Sequence, residues 1–326
     1  INYLLGELDE SYLPTLRAFG GLQSYPSRVK DPDPVDYSTG SVGIGATAPI
    51  WGAVARRYLN GRFAPGGDPK TPGRQYSLLG DAELDEGAVW EAIVDPGVAE
   101  LGEVVWVVDV NRQSLDRVVP LMAADRLRGM FTAAGWQVIT LKYGRLLEEL
   151  FARPGGQALR DRIDSMPNPE YQRLLRCDAD ELRRRLPAGN ESLAALVADL
   201  DDTQLARAIR NLGGHDLSSL DEAYGAIDDT RPTIILAYTI KGYGLAVEGH
   251  PQNHSALLTE AQLGELAAQL GTDPARPWRR ADPQSPAGEL CEQSARRLRR
   301  TVPPPQPPPA VPADLGRTPT ATATTQ

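Results

Sequence analysis

Residues 104–113 read VVWVVDVNRQ, a run of β-branched and aromatic residues that ends in two amides around an arginine. A strand with one wet face alternates apolar and polar residues. This run barely alternates, so it reads as a parallel strand, Val104 to Val110, covered on both faces. Upstream, Gln75 to Leu79 is a shorter apolar run that stops at Gly80-Asp81. Between the two, Glu83 to Ile93 has helical spacing, with acidic residues in the first turn where they suit the helix dipole. Downstream, Leu121 to Ala134 reads as a helix, Gln137 to Leu141 as a strand, and Leu146 to Phe151 as the start of another helix. Residues 155–228 look mostly helical, broken at Pro187-Ala188-Gly189 and at Gly213-Gly214-His215-Asp216, and Thr233 to Ile240 is the last strong strand. Strands alternating with helices predict an α/β fold, a doubly wound, mostly parallel sheet flanked by helices.

Nearer the start, Gly40 to Gly45 is glycine-dense and feeds an apolar stretch, Ala46 to Tyr58, with helical spacing. The cluster lacks the G-x-G-x-x-G spacing of a dinucleotide site and follows no clear strand. Residues 60–73 are rich in Gly and Pro and read as a surface loop. From Pro303 the chain runs PPPQPPP into Thr, Ala and Pro, a polyproline spacer or disordered tail. The expected organisation is a main domain over residues 1–255, a helical extension over 256–300 and a Pro-rich linker or tail over 301–326.

Composition narrows the partners. Charged residues make up 24% of the 326, with net charge -9, and no basic run interleaves with aromatics, so nucleic acid is not expected. No apolar run reaches the ~18 residues of a membrane span. Cys177 and Cys291 form no C-x-x-C pair; they read as free thiols in a reducing cytoplasm. The first residue is Ile1 rather than Met, so the chain is expected to begin inside a longer polypeptide or after missing residues.

In open parallel sheets, ligands sit outside the carboxyl ends of the strands. That rule marks three places: after Leu79, after Val110 and after Ile240. Asp81 follows the first, and Asn111-Arg112-Gln113 follows the second. If the two strands are neighbours, their ends lie about 5 Å apart. One carboxylate, one amide oxygen and a main-chain carbonyl make a hard oxygen set suited to magnesium, which keeps positions for phosphate oxygens and water. Backbone N–H groups of a glycine loop or helix start would complete a diphosphate cradle. On position alone, Asp81 is also an ordinary cap or turn residue.

GDAELDEGAVWEA (80–92) followed by VVWVVDVNRQSLDRVV (104–119) resembles the thiamine diphosphate signature of the homodimeric pyruvate dehydrogenase decarboxylase component, which shares its cofactor domain with transketolases. The resemblance extends through Ser24-Tyr25-Pro26, SVGIG at 41–45, AGWQVI at 134–139, NLGGHD at 211–216, ILAYTIKGYG at 235–244 and EGHPQNH at 248–254. It implies that Asp81 and the Asn111 side chain bind magnesium, with the main-chain oxygen of Gln113 as third ligand. Gly80, Ala82 and Glu83 would lie beside the diphosphate, Leu115 near the cofactor rings, and Gly40 and Val42 along the thiazolium-pyrimidine region. Lys241 would meet an anionic group, and His254 would act in passing an acyl group to a lipoyl carrier. On position alone, Lys241 reads as a surface lysine, His254 as an idle loop histidine, His250 as surface, and His215 as a turn histidine satisfied locally.

Two residues depart from the family pattern. Ala82 replaces a glycine, which a backbone without positive φ tolerates, and Asp109 stands where an asparagine is usual. The family's cofactor-contacting histidines and its proton-relay glutamate fall outside the chain. The resemblance therefore implies a fragment or a split subunit, active only with a pyrimidine-binding partner, for which a heterotetramer is the expected assembly. Two further readings stand beside pyruvate cleavage: transketolase-like two-carbon transfer from a ketose phosphate in specialised metabolism, and a non-catalytic scaffold.

Overall fold

The computed structural model describes residues 1–63, 73–114, 117–118 and 124–299. Among them, β1 is Gln75–Gly80, β2 Val104–Val110, β3 Gln113–Ser114, β4 Arg117–Val118, β5 Gln137–Leu141 and β6 Thr233–Tyr238. The helices are α1 Ile44–Phe63, α2 Gly87–Ile93, α3 Ala124–Ala133, α4 Arg145–Phe151, α5 Gly156–Ser165, α6 Asn168–Leu174, α7 Ala179–Arg185, α8 Glu191–Ala198, α9 Asp202–Arg210, α10 Leu217–Gly225, α11 Glu260–Leu270 and α12 Pro286–Leu298. The expected continuous helix from Glu83 is instead a 3-10 turn, Asp81–Asp85, then α2 from Gly87. Glu86 between them is extended, so the chain changes direction before the apolar helix face starts.

Four strands form one parallel sheet in the order β1-β2-β6-β5. β2 is central and its alternate residues enter different cores. Val104, Trp106, Val108 and Val110 join the larger one, while Val105 and Val107 pack with Ala223, Ile227, Ile235 and Ala237 on the opposite face. This explains why the sequence of β2 hardly alternates: both faces are dry. The Trp106 ring centre lies 4.8 Å from that of Trp136 and 6.0 Å from that of Phe131, and Phe131 lies 5.5 Å from Trp90, so α2, α3 and the residue before β5 close over one aromatic cluster.

α1 lays Ala46, Ile50 and Ala53 against β1. Its other side leaves Ile44, Trp51, Val54 and Tyr58 exposed. β1 is similarly two-sided, with Ser77 and Leu79 buried while Tyr76 and Leu78 stay open, Leu78 at 80%. β5 and β6 are joined by the helical run α4–α10. Asp178, Asn190, Asp201 and Asp216 each cap a helix start there by accepting a backbone N–H, which fixes the short helices one after another.

The chain divides into two compact units. One is residues 11–278, which holds the sheet. The other joins residues 1–10 to the segment from Arg279 onward. Within it, the Arg280 guanidinium lies 4.4 Å from the Tyr3 ring centre and donates to the Tyr3 carbonyl at 2.9 Å. No helix of the described residues is long and apolar enough to cross a membrane.

Candidate functional site

β1 and β2 run side by side, with Gly80 opposite Asp109. Their carboxyl ends therefore open together, and Asp81 accepts the Arg112 backbone N–H at 3.1 Å. The Asn111 side-chain oxygen accepts the Gln113 N–H at 2.9 Å. Asp81, Asn111 and Gln113, expected to share one crevice, are thus joined through the peptide units of residues 111–113. Asn111 and Gln113 are buried. Among the described residues no side-chain cation pairs with Asp81. Burial, with the carboxylates of Asp109 and Asp85 nearby, pushes the Asp81 carboxyl up to about 6 against the pull of two backbone N–H groups. A carboxylate so placed gains from a cation beside it.

Asp109 is held on both oxygens. One accepts from the Asn111 amide at 2.9 Å and the other from the Thr239 hydroxyl. Thr239 in turn donates its backbone N–H to the Val110 carbonyl at 3.2 Å, so the ends of β2 and β6 are locked together. Arg112 has a φ of 64°. That left-handed conformation costs a bulky residue about 1–2 kcal/mol. The Gln172 amide donates to the Asn111 carbonyl at 3.3 Å and the Gln113 amide to the His250 carbonyl at 3.3 Å. The 111–113 corner is therefore tied both to α6 and to the segment that follows β6.

The glycine segment reaches the same edge. Gly43 donates its N–H to the Glu83 carboxylate at 2.9 Å. It has a φ of 79°, and a Cβ there would meet Val89 at 2.7 Å, so only glycine fits. Val42, next to Gly43 in the chain, has an exposed side chain. Ala82 lies in the 3-10 turn without positive φ, so its methyl group is tolerated. Leu115 lies outside the described residues. Beyond β6, the Lys241 ammonium and the His254 ring nitrogen Nδ1 are 3.2 Å apart. His215 takes the Ile240 N–H on Nε2 at 2.8 Å and stacks on Tyr243 at 3.8 Å, and burial holds its imidazole below its ordinary pKa. It is a neutral ring that fixes the chain leaving β6.

Residues 3–153 match the family described as transketolase, thiamine diphosphate binding domain. The chain carries a thiamine diphosphate-binding domain of the transketolase family. The chain is 33% identical over 274 residues to the pyruvate dehydrogenase E1 component of Pseudomonas aeruginosa, covering 82% of this chain and 30% of that one. The Escherichia coli K12 protein of the same name is 32% identical over 256 residues (76% and 28%), and that of Mycolicibacterium smegmatis 30% over 301 (87% and 32%). The chain thus spans about a third or less of the length of these relatives. Among solved structures, a Pichia stipitis transketolase complexed with sedoheptulose 7-phosphate superposes with TM-score 0.56 at 19% identity, covering 90% of this chain and 33% of that one. Leishmania mexicana transketolase gives 0.55 at 20% (90% and 35%). At that identity the likeness is one of fold, and it matches the parallel sheet described above.

The donor set of the thiamine diphosphate-binding domain fits a magnesium diphosphate. It offers one carboxylate with no cationic partner, an amide and main-chain oxygens, and no described group of three or more His, Cys, Asp or Glu forms an all-side-chain cage. Magnesium held by a single carboxylate is the pattern expected when phosphate oxygens fill further positions. Three features of this corner carry no signal in composition or periodicity: the grip of Thr239 on Asp109, the Gln172 tether and the left-handed Arg112. An arginine between two site amides was the only visible hint.

Proposed function

We propose that this chain is the diphosphate- and magnesium-binding part of a pyruvate dehydrogenase-like enzyme, one that cleaves a 2-oxo acid and hands a two-carbon acyl unit to a lipoyl or similar carrier. The observation that carries the reading is Asp81, a carboxylate without a cationic partner at the end of β1, facing the Asn111–Gln113 corner at the end of β2. Identity of about one third to pyruvate dehydrogenase E1 components, along most of the chain, supports a 2-oxo acid over a ketose phosphate.

Asp81, the Asn111 side chain and the Gln113 carbonyl would hold magnesium. Gly40, Val42 and the Gly80–Glu83 turn would lie along the cofactor, with Leu115 near its rings. Thiamine diphosphate, when bound, supplies the electron sink for breaking a carbon–carbon bond next to a ketone. Lys241 would orient an anionic group, and His254, held beside it, would move a proton during acyl transfer. The exposed faces of α1 and β1 supply the surface for a pyrimidine-binding partner, in a heteromeric assembly. Two free cysteines suit a reducing cytoplasm.

The test has two stages. Calorimetry with magnesium and thiamine diphosphate, in the presence of the pyrimidine-binding partner, should give binding heat that Asp81→Ala removes; absence of heat with the unaltered chain would sink the cofactor assignment. The assembled enzyme, offered pyruvate and then a ketose phosphate, should load a lipoyl acceptor from pyruvate, read by mass. Loading from the ketose phosphate alone would replace the dehydrogenase reading with a transketolase one.

A further inference from the structure

Arg112 sits between two of the proposed ligands and is 6% exposed. Among the described residues its side chain forms no ion pair and no hydrogen bond. Its guanidinium carbon lies 4.3 Å from the Tyr171 ring centre and 5.3 Å from that of Tyr238. Tyr171 is buried on α6 and anchored by its hydroxyl to the Ile209 carbonyl at 2.6 Å; Tyr238 ends β6. The cation is thus clasped between two rings that belong to different elements. Beyond them the pattern repeats, with the Lys142 ammonium 5.8 Å from Tyr238 and 5.3 Å from Tyr143.

The backbone at Arg112 is left-handed, where glycine, asparagine or aspartate is the cheap choice. An arginine therefore stands there for its side chain. In a dry site a guanidinium between two aromatic faces is held firmly, because it is weakly hydrated and attracted to both rings. The grip is transmitted through one residue's backbone to the N–H that meets Asp81 and to the peptide units of Asn111 and Gln113.

Resting on the cofactor reading above, we infer that Arg112 is a positioning residue. Its clasp between Tyr171 and Tyr238 sets the left-handed corner that presents Asn111 and Gln113 to the divalent cation. Cofactor loading then depends on a contact that touches neither the metal nor the diphosphate.

Binding of Mn²⁺, a paramagnetic stand-in for magnesium, is followed by its spin-resonance signal on the full chain together with its pyrimidine-binding partner and excess thiamine diphosphate. Arg112→Gly removes the backbone strain and the clasp together. It should weaken Mn²⁺ binding by about tenfold or more, the range seen when groups supporting metal ligands are lost. Arg112→Lys keeps a cation at the rings but a more strongly hydrated one, and should bind between the unaltered chain and Arg112→Gly. If Arg112→Gly binds as the unaltered chain does, or differs only in melting temperature, the positioning role is overturned. Should Arg112→Gly fail to fold, Tyr238→Leu, which opens one side of the clasp, is read in its place: weaker binding upholds the role and unchanged binding overturns it. An unaltered chain that, with the partner present, binds no Mn²⁺ overturns the cofactor reading itself, and the inference with it.

Discussion

At the scale of single residues, the proposed site would trade stability for binding. Asp81 is half-buried, faces other carboxylates and lacks a cation, so its ionised form costs the fold free energy. Asp81→Asn should raise the melting temperature of the cofactor-free chain by a few degrees near pH 7–8 while abolishing magnesium-dependent thiamine diphosphate binding; a variant no more stable than the parent would contradict this. Glu103 behaves in the opposite way. Burial acts to raise its carboxyl, but the two hydrogen bonds and charge of Arg57 outweigh that and hold it below the usual range. A depressed carboxylate contributes stability above its unfolded pKa, about 4.3, and the contribution is lost as pH falls through the lower folded value. Urea midpoints measured from pH 6 down to 3 should therefore fall steeply below about pH 4.3, and Glu103→Gln should flatten that fall.

At the scale of elements, the strands were legible and the corners were not. β2 announced itself because both faces are dry, and β1, β5 and β6 because each is a short apolar run at a regular interval from a helix. The placing of Asp81 opposite the Asn111–Gln113 corner followed from the single assumption that β1 and β2 are neighbours, which the register supports. The stretch from Glu83 to Asp85, the end of a 3-10 turn, reads in the sequence as the start of a helix because propensity does not see the turn that ends at Glu86. The clasp on Arg112 joins residues from α6 and β6, 59 and 126 positions away, and no local pattern encodes such a meeting. Packing at this scale is tested by Trp106→Ala. The indole is fully buried among Phe131 and Trp136, and its removal should cost about 3–5 kcal/mol in urea unfolding. A loss below about 1 kcal/mol would mean that the cluster collapses to fill the space.

At the scale of the molecule, the two-sided character of α1 matters most. Ala46, Ile50 and Ala53 are fully covered, yet Ile44, Trp51, Val54 and Tyr58 form a second apolar stripe left exposed among the described residues. Trp51→Glu with Val54→Lys should leave the melting temperature of the isolated chain unchanged and prevent co-elution with the pyrimidine-binding polypeptide in size-exclusion chromatography. Retained co-elution would move the interface elsewhere. Beside that stripe, β1 is the last strand of its sheet and turns Leu78 outward. A terminal strand with a greasy outer side invites the same strand of another molecule to line up along it. If the pyrimidine-binding half is a separate polypeptide, as proposed, synthesis of this one in excess would feed self-adhesion, and the ratio in which the two are made becomes a condition for keeping either usable.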